Sequence, residues 1–412
     1  MKGITRGTEA STICYETLEQ FARGKVQEFV QEILEEEVTT LLGRERSERR
    51  EGIDPPVGYR NGYGKPRNLG MMNGTITVRR PRVRGLEDRF VSRVLPLFKR
   101  QSRQVREMLP ELYLHGLASG DFELAMRGLL GEGAPLSASS IQRLKAKWQL
   151  EYEAWKNVDL SNLEVAYGWA DGLYVKAGIE DRKAALLVIV AALKNGKKLL
   201  LACESGERES KESWLKVLRD LKARGLKFPR LNVADGHLGI WSALGEIYPA
   251  GDEQRCWNHK ITNVLDDLPK KEQAKASELL KEMPYAETKK RCEKLRDEFV
   301  FRYKRTEPKA VATLLRDWER MVTFYSYPKE HWLHLRTSNI VESPFSAIRL
   351  RTDASRRYKK VENARAMIWK LLQVAEKSWR KLNAPELVEC VYEGRQFIDG
   401  VAVKNEELRE AA

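Results

Sequence analysis

The segment Val165-Ala166-Tyr167-Gly168-Trp169-Ala170-Asp171-Gly172, with the later runs Ala184 to Leu193, Leu199 to Cys203 and Leu231-Asn232-Val233-Ala234-Asp235-Gly236, decides the fold class. The two middle runs are continuous and apolar, and Asn195-Gly196 between them is a favoured two-residue hairpin turn, so they predict a buried antiparallel pair. Between Cys203 and Leu231 the period changes. Trp214, Leu215, Val217, Leu218 and Leu221 fall on one side of a helix over Ser210 to Arg224, which Gly225 ends. Strands, a hairpin, a crossover helix and a further strand make an α/β core. Asp171 and Asp235 are each expected at the end of an apolar strand, followed by glycine.

Upstream, Leu18, Phe21, Val26, Phe29, Val30, Ile33, Leu34, Val38, Leu41 and Leu42 recur at helical intervals, predicting an amphipathic helix from Tyr15 to Gly43. Its opposite face carries Glu28, Glu32, Glu35, Glu36 and Glu37, so the helix is suited to packing or dimerisation and not to lying on DNA. From Arg44 to Arg106 there are 17 Lys and Arg against 6 Asp and Glu, so +11 of the chain's formal +14 falls in this window. Thr75 to Arg80 alternates as a strand or hairpin, and Pro81-Arg82-Val83-Arg84-Gly85 continues it as an arginine-bearing arm. Arginines and tyrosines on a glycine-rich backbone suit phosphate contacts and groove insertion; the plainer reading is a solvated basic surface. From Val105 to Lys156 the pattern is helical. Two short helices flank Gly131-Glu132-Gly133-Ala134-Pro135, the second opened by a Ser137 cap and displaying Arg143 and Lys145, which resembles a helix-turn-helix.

Downstream, Ile261 to His334 is rich in Lys, Glu, Leu and Ala with no strand pattern, and Val361 to Trp379 has helical spacing. The expected layout is therefore an N-terminal helix and basic arm over 1–100, a helix-turn-helix-like region over 101–160, the first part of the core over 161–260, helices over 261–335, and the rest of the core with C-terminal helices over 336–412.

The chain's 412 residues allow two to four domains, and 42% apolar with 32% charged residues excludes both a membrane protein and a disordered polyelectrolyte. Ala184 to Leu193, the longest apolar run, is too short to span a bilayer, and Met1 to Ser11 lacks the apolar segment of a signal peptide, so a cytoplasmic location is expected. The scattered Cys14, Cys203, Cys256, Cys292 and Cys390 suit reduced thiols. The positive balance favours a polyanionic partner.

A third acid joins the two Asp-Gly pairs. Glu342 sits at a predicted helix opening in Asn339-Ile340-Val341-Glu342, with Arg349, Arg351 and a further cluster of Arg356, Arg357, Lys359 and Lys360 beyond it. Asp-Gly alone is also a favoured turn, but three carboxylates from two strands and a helix in a basic protein suit an oxygen-ligand site for two magnesium ions, with manganese as a substitute. Such a site activates a nucleophile and stabilises the departing oxygen of a phosphodiester, while neighbouring Arg and Lys hold the substrate. Trp169, Tyr174, Trp241 and Trp257 are candidates for base stacking, with core packing the more ordinary use of Trp. Cys256-x-x-His259 has metal-ligand spacing, and His331-x-x-His334 is a candidate second pair for a structural zinc. The long gap between the pairs favours instead a local pairing of Cys256 with His259 on a strand-to-helix turn.

Taken in order, Asp171-Gly172-Leu173-Tyr174-Val175-Lys176, Arg224-Gly225 ahead of Val233 to Gly239, Gln254-Arg255-Cys256-Trp257-Asn258-His259-Lys260 with Asn263, and Thr337-Ser338-Asn339-Ile340-Val341-Glu342 resemble the Mutator-type DDE transposases of bacterial insertion sequences over residues 20 to 390. The resemblance implies an RNase H-like catalytic core with an all-helical insertion between the second Asp and the Glu. It also implies magnesium-dependent strand cleavage and transfer at terminal inverted repeats, with Asp171, Asp235 and Glu342 on the acidic triad. The implied partners are double-stranded DNA, both element ends and target, and further copies of the chain in a homodimer or higher oligomer. In this sequence Ser343-Pro344-Phe345-Ser346 stands where many members read more like Arg-Leu-Asn-Arg, and Pro344 puts Glu342 in the first helical turn or just before it. The alternatives are a DNA-binding protein that has lost cleavage and a structure-specific nuclease of the same fold.

Overall fold

The computed structural model describes residues 15–48, 58–96, 100–117, 121–131, 133–134, 138–176, 183–206, 208–227, 229–236, 238–354, 358 and 360–403. The chain divides into two compact units, Met1–Leu144 and Lys145–Ala412.

In the first unit, α1 (Tyr15–Leu42) is followed by β1 (Tyr59–Tyr63), β2 (Arg67–Met71), β3 (Gly74–Val78) and β4 (Pro81–Arg84). β2 and β3 form a hairpin, while β1 pairs antiparallel with β4. Leu34 and Val38 of α1 are fully buried against Ile76, Val78 and Leu95. Gln27 accepts a hydrogen bond from Thr77 N at 2.8 Å, and Gln31 both accepts from Arg79 N and donates to Arg79 O at 2.9 Å, so helix side chains satisfy the open edge of the hairpin. Core packing is thus one use of α1. The apolar stripe is wider than the face packed within the unit, because Leu18, Phe21 and Phe29 are exposed. Helices α2 (Arg103–Leu114), capped by Ser102, and α3 (Phe122–Leu130) follow. The expected cap Ser137 lies outside the described residues, as do His237, Arg356, Arg357 and Lys359.

Helix α4 (Ala138–Lys156) runs on into the second unit, where its buried Tyr152 donates to Cys203 O at 3.0 Å and to Glu204 at 2.7 Å. The strands β5 (Val165–Lys176), β6 (Lys183–Leu193), β7 (Lys198–Gly206), β8 (Leu231–Ala234) and β9 (Asp252–Arg255) form one mixed sheet in the order β7-β6-β5-β8-β9. The β7-β6-β5 pairings are antiparallel; β5-β8 and β8-β9 are parallel. Helices α5 (Lys211–Ala223), capped by Ser210, and α6 (Leu238–Ile247) cover one face. Trp214, Leu218, Ile240 and Leu244 pack there with Ala170, Leu187 and Ala234.

Asp171 is not at a strand end, contrary to expectation. β5 continues to Lys176 because its antiparallel partner β6 goes on pairing through Lys183, although parallel β8 stops at Ala234. Asp171 therefore lies within β5 at the level where its neighbour ends. The strand-to-helix turn expected at Cys256 is present, and the strand before it is β9, whose extent is hidden in the sequence because Asp252-Glu253-Gln254-Arg255 carries no apolar pattern.

After β9 the chain is helical: α7 (Trp257–Asp266), α8 (Lys270–Glu282), α9 (Lys289–Tyr303), α10 (Pro308–Leu315), α11 (Trp318–Val322) and α12 (Trp332–Leu335), with short 3₁₀ turns between. Lys260 of α7 is fully buried and donates from Nζ to Thr313 O at 2.6 Å and to Arg316 O, fastening α7 to the C-terminal end of α10. Helices α13 (Asn339–Ala354), α14 (Val361–Glu376) and α15 (Pro385–Tyr392) and the short pair β10 (Phe397–Ile398) and β11 (Val401–Ala402) complete the unit. Among the described residues no helix is long and apolar enough to cross a membrane.

Candidate active site

Side chains alternate across a strand, and β5 uses this to build two different faces. Ala170 packs under α5 and α6, whereas Tyr167 and Trp169 face the other way, toward His331 and His334. Asp171 shares the face of Trp169, the side against which α13 packs. Ala170 is the register partner of Ala234 in the parallel β5-β8 pair, so Asp171 and Asp235 follow equivalent positions on adjacent strands and point to the same side. Each is oriented alike: Gly172 N donates to Asp171 Oδ1 at 2.8 Å, and Gly236 N donates to Asp235 Oδ1.

Both glycines lie tightly against the end of a neighbouring side chain. A Cβ at Gly172 would overlap the carboxylate of Glu209, and one at Gly236 would overlap the guanidinium of Arg255. Arg255, at the end of β9, is itself held by Asp317 at 3.1 Å.

Glu342 reaches the same place from the first turn of α13, with Pro344 accommodated inside that helix. Ser338 Oγ donates to Glu342 Oε1, and its amide donates to Cys256 Sγ at 3.3 Å. Cys256 is the N-cap of α7 and His259 lies one turn on, so the pair faces the same way. His259 Nδ1 is 3.9 Å from Asp235 Oδ1, 3.8 Å from Glu342 Oε1 and 3.5 Å from Ser338 Oγ. Asp235, Glu342, Cys256 and His259 are thus brought together around the His259 ring, and Asp171 is near enough for the charges of His259 and Glu342 to act on it. The alternative zinc quartet is not assembled: His331 is buried with Nδ1 2.7 Å from Tyr167 Oη and Nε2 3.2 Å from Ala384 O.

Electrostatics follow from this crowding. Burial pushes the Asp171 carboxyl up to about 7; Glu342 and Glu209 push the same way, opposed by the Gly172 amide and His259. His259 is carried up to about 10 by its hydrogen bond to Cys256 and by Asp235 and Glu342, against burial. A carboxyl crowded by like charges is the group a bound cation stabilises, and three carboxylates are the hard oxygen donors that magnesium takes. The donor set therefore fits the expected metal.

Two neighbours were not anticipated. Ser338 was within reach of sequence reasoning, standing four residues before Glu342 at a helix opening. Glu209 gave no signal, since it lies in the connection between β7 and α5 and meets Asp171 only through folding. Of the aromatic candidates, Trp169, Trp241 and Trp257 are buried, whereas Tyr174 on β5 is 46% exposed. Arg82 and Arg84 are exposed on β4, and Arg143 is exposed on α4, where Lys145 is half-buried. Arg349 is exposed two turns after Glu342, on the same side of α13 by helical spacing, and Arg351 falls on the same helix.

The family model described as "Transposase, Mutator family" matches residues 5–382. A transposase for insertion sequence element IS6120 from Mycolicibacterium smegmatis is 44% identical over 71% of this chain and 91% of its own length. The transposase for element IST2 of Acidithiobacillus ferrooxidans is 42% identical over 67% and 94%, and that for ISRM5 of Rhizobium meliloti is 28% identical over 88% and 89%. Among solved structures, the Drosophila P element transposase strand transfer complex aligns over 69% of this chain and 83% of that one, with 12% identity and a TM-score of 0.29.

Proposed function

This chain belongs to the Mutator family of transposases, and from that premise we propose that it cleaves and joins DNA strands at the terminal inverted repeats of an insertion sequence, using divalent metal held by Asp171, Asp235 and Glu342. The observation that carries this reading is the Ala170–Ala234 register, which aims Asp171 and Asp235 to one side of the sheet, with Glu342 joined to Asp235 through His259. The sheet order, antiparallel for three strands and parallel for the last two, supports an RNase H-like core, with the helices from 257 to 335 as its insertion.

Bound at the three acids, magnesium or manganese supplies activation of a water or sugar hydroxyl and stabilisation of the leaving oxygen. The chain's own residues do the rest. The Gly172 and Gly236 amides and Ser338 fix the carboxylates in direction. His259, cationic when no metal is bound, offsets negative charge between Asp235 and Glu342. Tyr174, three residues beyond Asp171 on the opposite face of β5, presents an exposed ring for stacking on an unpaired base. Arg349 and Arg351 bind phosphates near the reacting strand, while Arg82 and Arg84, with Arg143 and Lys145, hold the duplex of the element end and target. Joining two ends requires two active sites, hence a homodimer or larger assembly.

The test uses purified protein and labelled duplex carrying the ends of its own element. With magnesium, new 3′ ends and strands joined to a second duplex are expected; a chelator stops both, and magnesium or manganese restores them. Binding of the ends with no cleavage under either metal would contradict the proposal and favour a DNA-binding protein that no longer cuts. Cleavage without any joining would favour a nuclease.

A further inference from the structure

Cys256, His259 and Glu342 offer one sulfur, one nitrogen and one oxygen ligand atom, all within 4.8 Å of one another. Ligands sharing a tetrahedral zinc, with bonds of about 2.0–2.3 Å, stand roughly 3.5 Å apart, so closure onto an ion needs movement on the order of 1 Å. The three come from elements that are already fixed together. Cys256 and His259 are one turn apart at the start of α7, and the amide and hydroxyl of Ser338, just before α13, bridge Cys256 and Glu342. An amide donating to the sulfur and a hydroxyl donating to the carboxylate are the supporting contacts that orient metal ligands. The set also leaves a fourth position open. Magnesium, a hard ion that takes oxygen, has no use for the buried thiol.

We propose that Cys256, His259 and Glu342 form a second cation site for a thiophilic divalent ion of the zinc class. The ion would engage a Glu342 oxygen, so that zinc and magnesium compete for this carboxylate. The competition rests on the reading of Glu342 as a magnesium ligand; binding of zinc does not.

The experiment uses the metal-free, full-length protein and cobalt(II) as a spectroscopic probe. One cobalt per chain is expected, with a thiolate-to-cobalt charge-transfer band and the visible bands of a tetrahedral ion, all displaced by one equivalent of zinc. Cys256→Ser should lose the charge-transfer band, and Glu342→Gln should weaken zinc binding by at least about tenfold, as loss of a metal ligand requires. Should Cys256→Ser not fold, His259→Gln keeps the thiol and is expected to weaken zinc to the same degree. A band absent from the parent, or one that persists in Cys256→Ser, overturns the site. In the cleavage assay, zinc should inhibit and added magnesium should relieve the inhibition. Cleavage that depends on the acids in a protein that binds no zinc overturns only the zinc site, whereas zinc binding in a protein that never cuts overturns only the proposed function.

Discussion

Gly236 lies directly against the guanidinium of Arg255, so the turn that carries Asp235 is shaped by a buried side chain from the neighbouring strand. Asp317 holds that guanidinium in place at 3.1 Å, and Arg320 reaches the same carboxylate at 3.2 Å. The helices after β9 therefore reach back to the Asp235 turn through one ion pair.

Gly236→Ala should cost about 1–3 kcal/mol of stability, as overpacking in a well-filled interior does. Gly172→Ala meets the buried Glu209 side chain in the same way and should also destabilise. Gly24→Ala, in the exposed middle of α1 with nothing near its Cβ, should instead stabilise by about 0.5–1 kcal/mol. Urea denaturation of the three variants checks the order.

His331 predicts an acid sensitivity. Burial lowers its pKa below 6.5, and its contacts with Tyr167 Oη and Ala384 O suit the neutral ring. An unfolded chain takes up a proton near the ordinary value of about 6.5 that the folded chain refuses, so this contribution is complete above that pH and is lost as pH falls toward the folded value. His334, also lowered by burial, acts in the same direction. Between pH 7.5 and 5.5 the melting temperature should fall less steeply for His331→Gln than for the parent; equal slopes would refute the assignment.

Arg82 and Arg84 occupy alternate positions of β4 and therefore share a side of the strand. If both contact phosphate, log affinity for the element end falls with log salt, and each Arg→Ala change lowers the slope by about 0.9. Fluorescence anisotropy at several salt concentrations measures this. Unchanged slopes would leave these arginines as ordinary surface charge.

Much of the sheet and both acids on it were legible because the signals were local. The runs over 184–193 and 199–203, the Asn195-Gly196 turn and the Ser210-capped helix need no tertiary information, and each formed close to where it was expected. β9 was legible only as the strand-to-helix turn at Cys256, because Asp252 to Arg255 becomes a strand by parallel pairing with β8, and Gln254 is buried through contacts with Met321 and Phe324. The position of Asp171 within β5, not at its end, depends on how far β6 extends, which the Asp-Gly pair conceals. Glu209 and Arg255 approach the acids only once the chain has folded. Phe21 and Phe29 fit a helical period as well as Leu34 does, but period alone does not tell a packed stripe from one left exposed.

The most direct measurement compares Asp171→Asn, Asp235→Asn and Glu342→Gln with the parent for cleavage of labelled element ends in magnesium, alongside binding of the same DNA. Cleavage should fall on the order of 10³-fold or more in each, a barrier increase of about 4 kcal/mol, while binding stays near that of the parent. A variant that cuts at the parental rate would show that its carboxylate does not hold the catalytic metal.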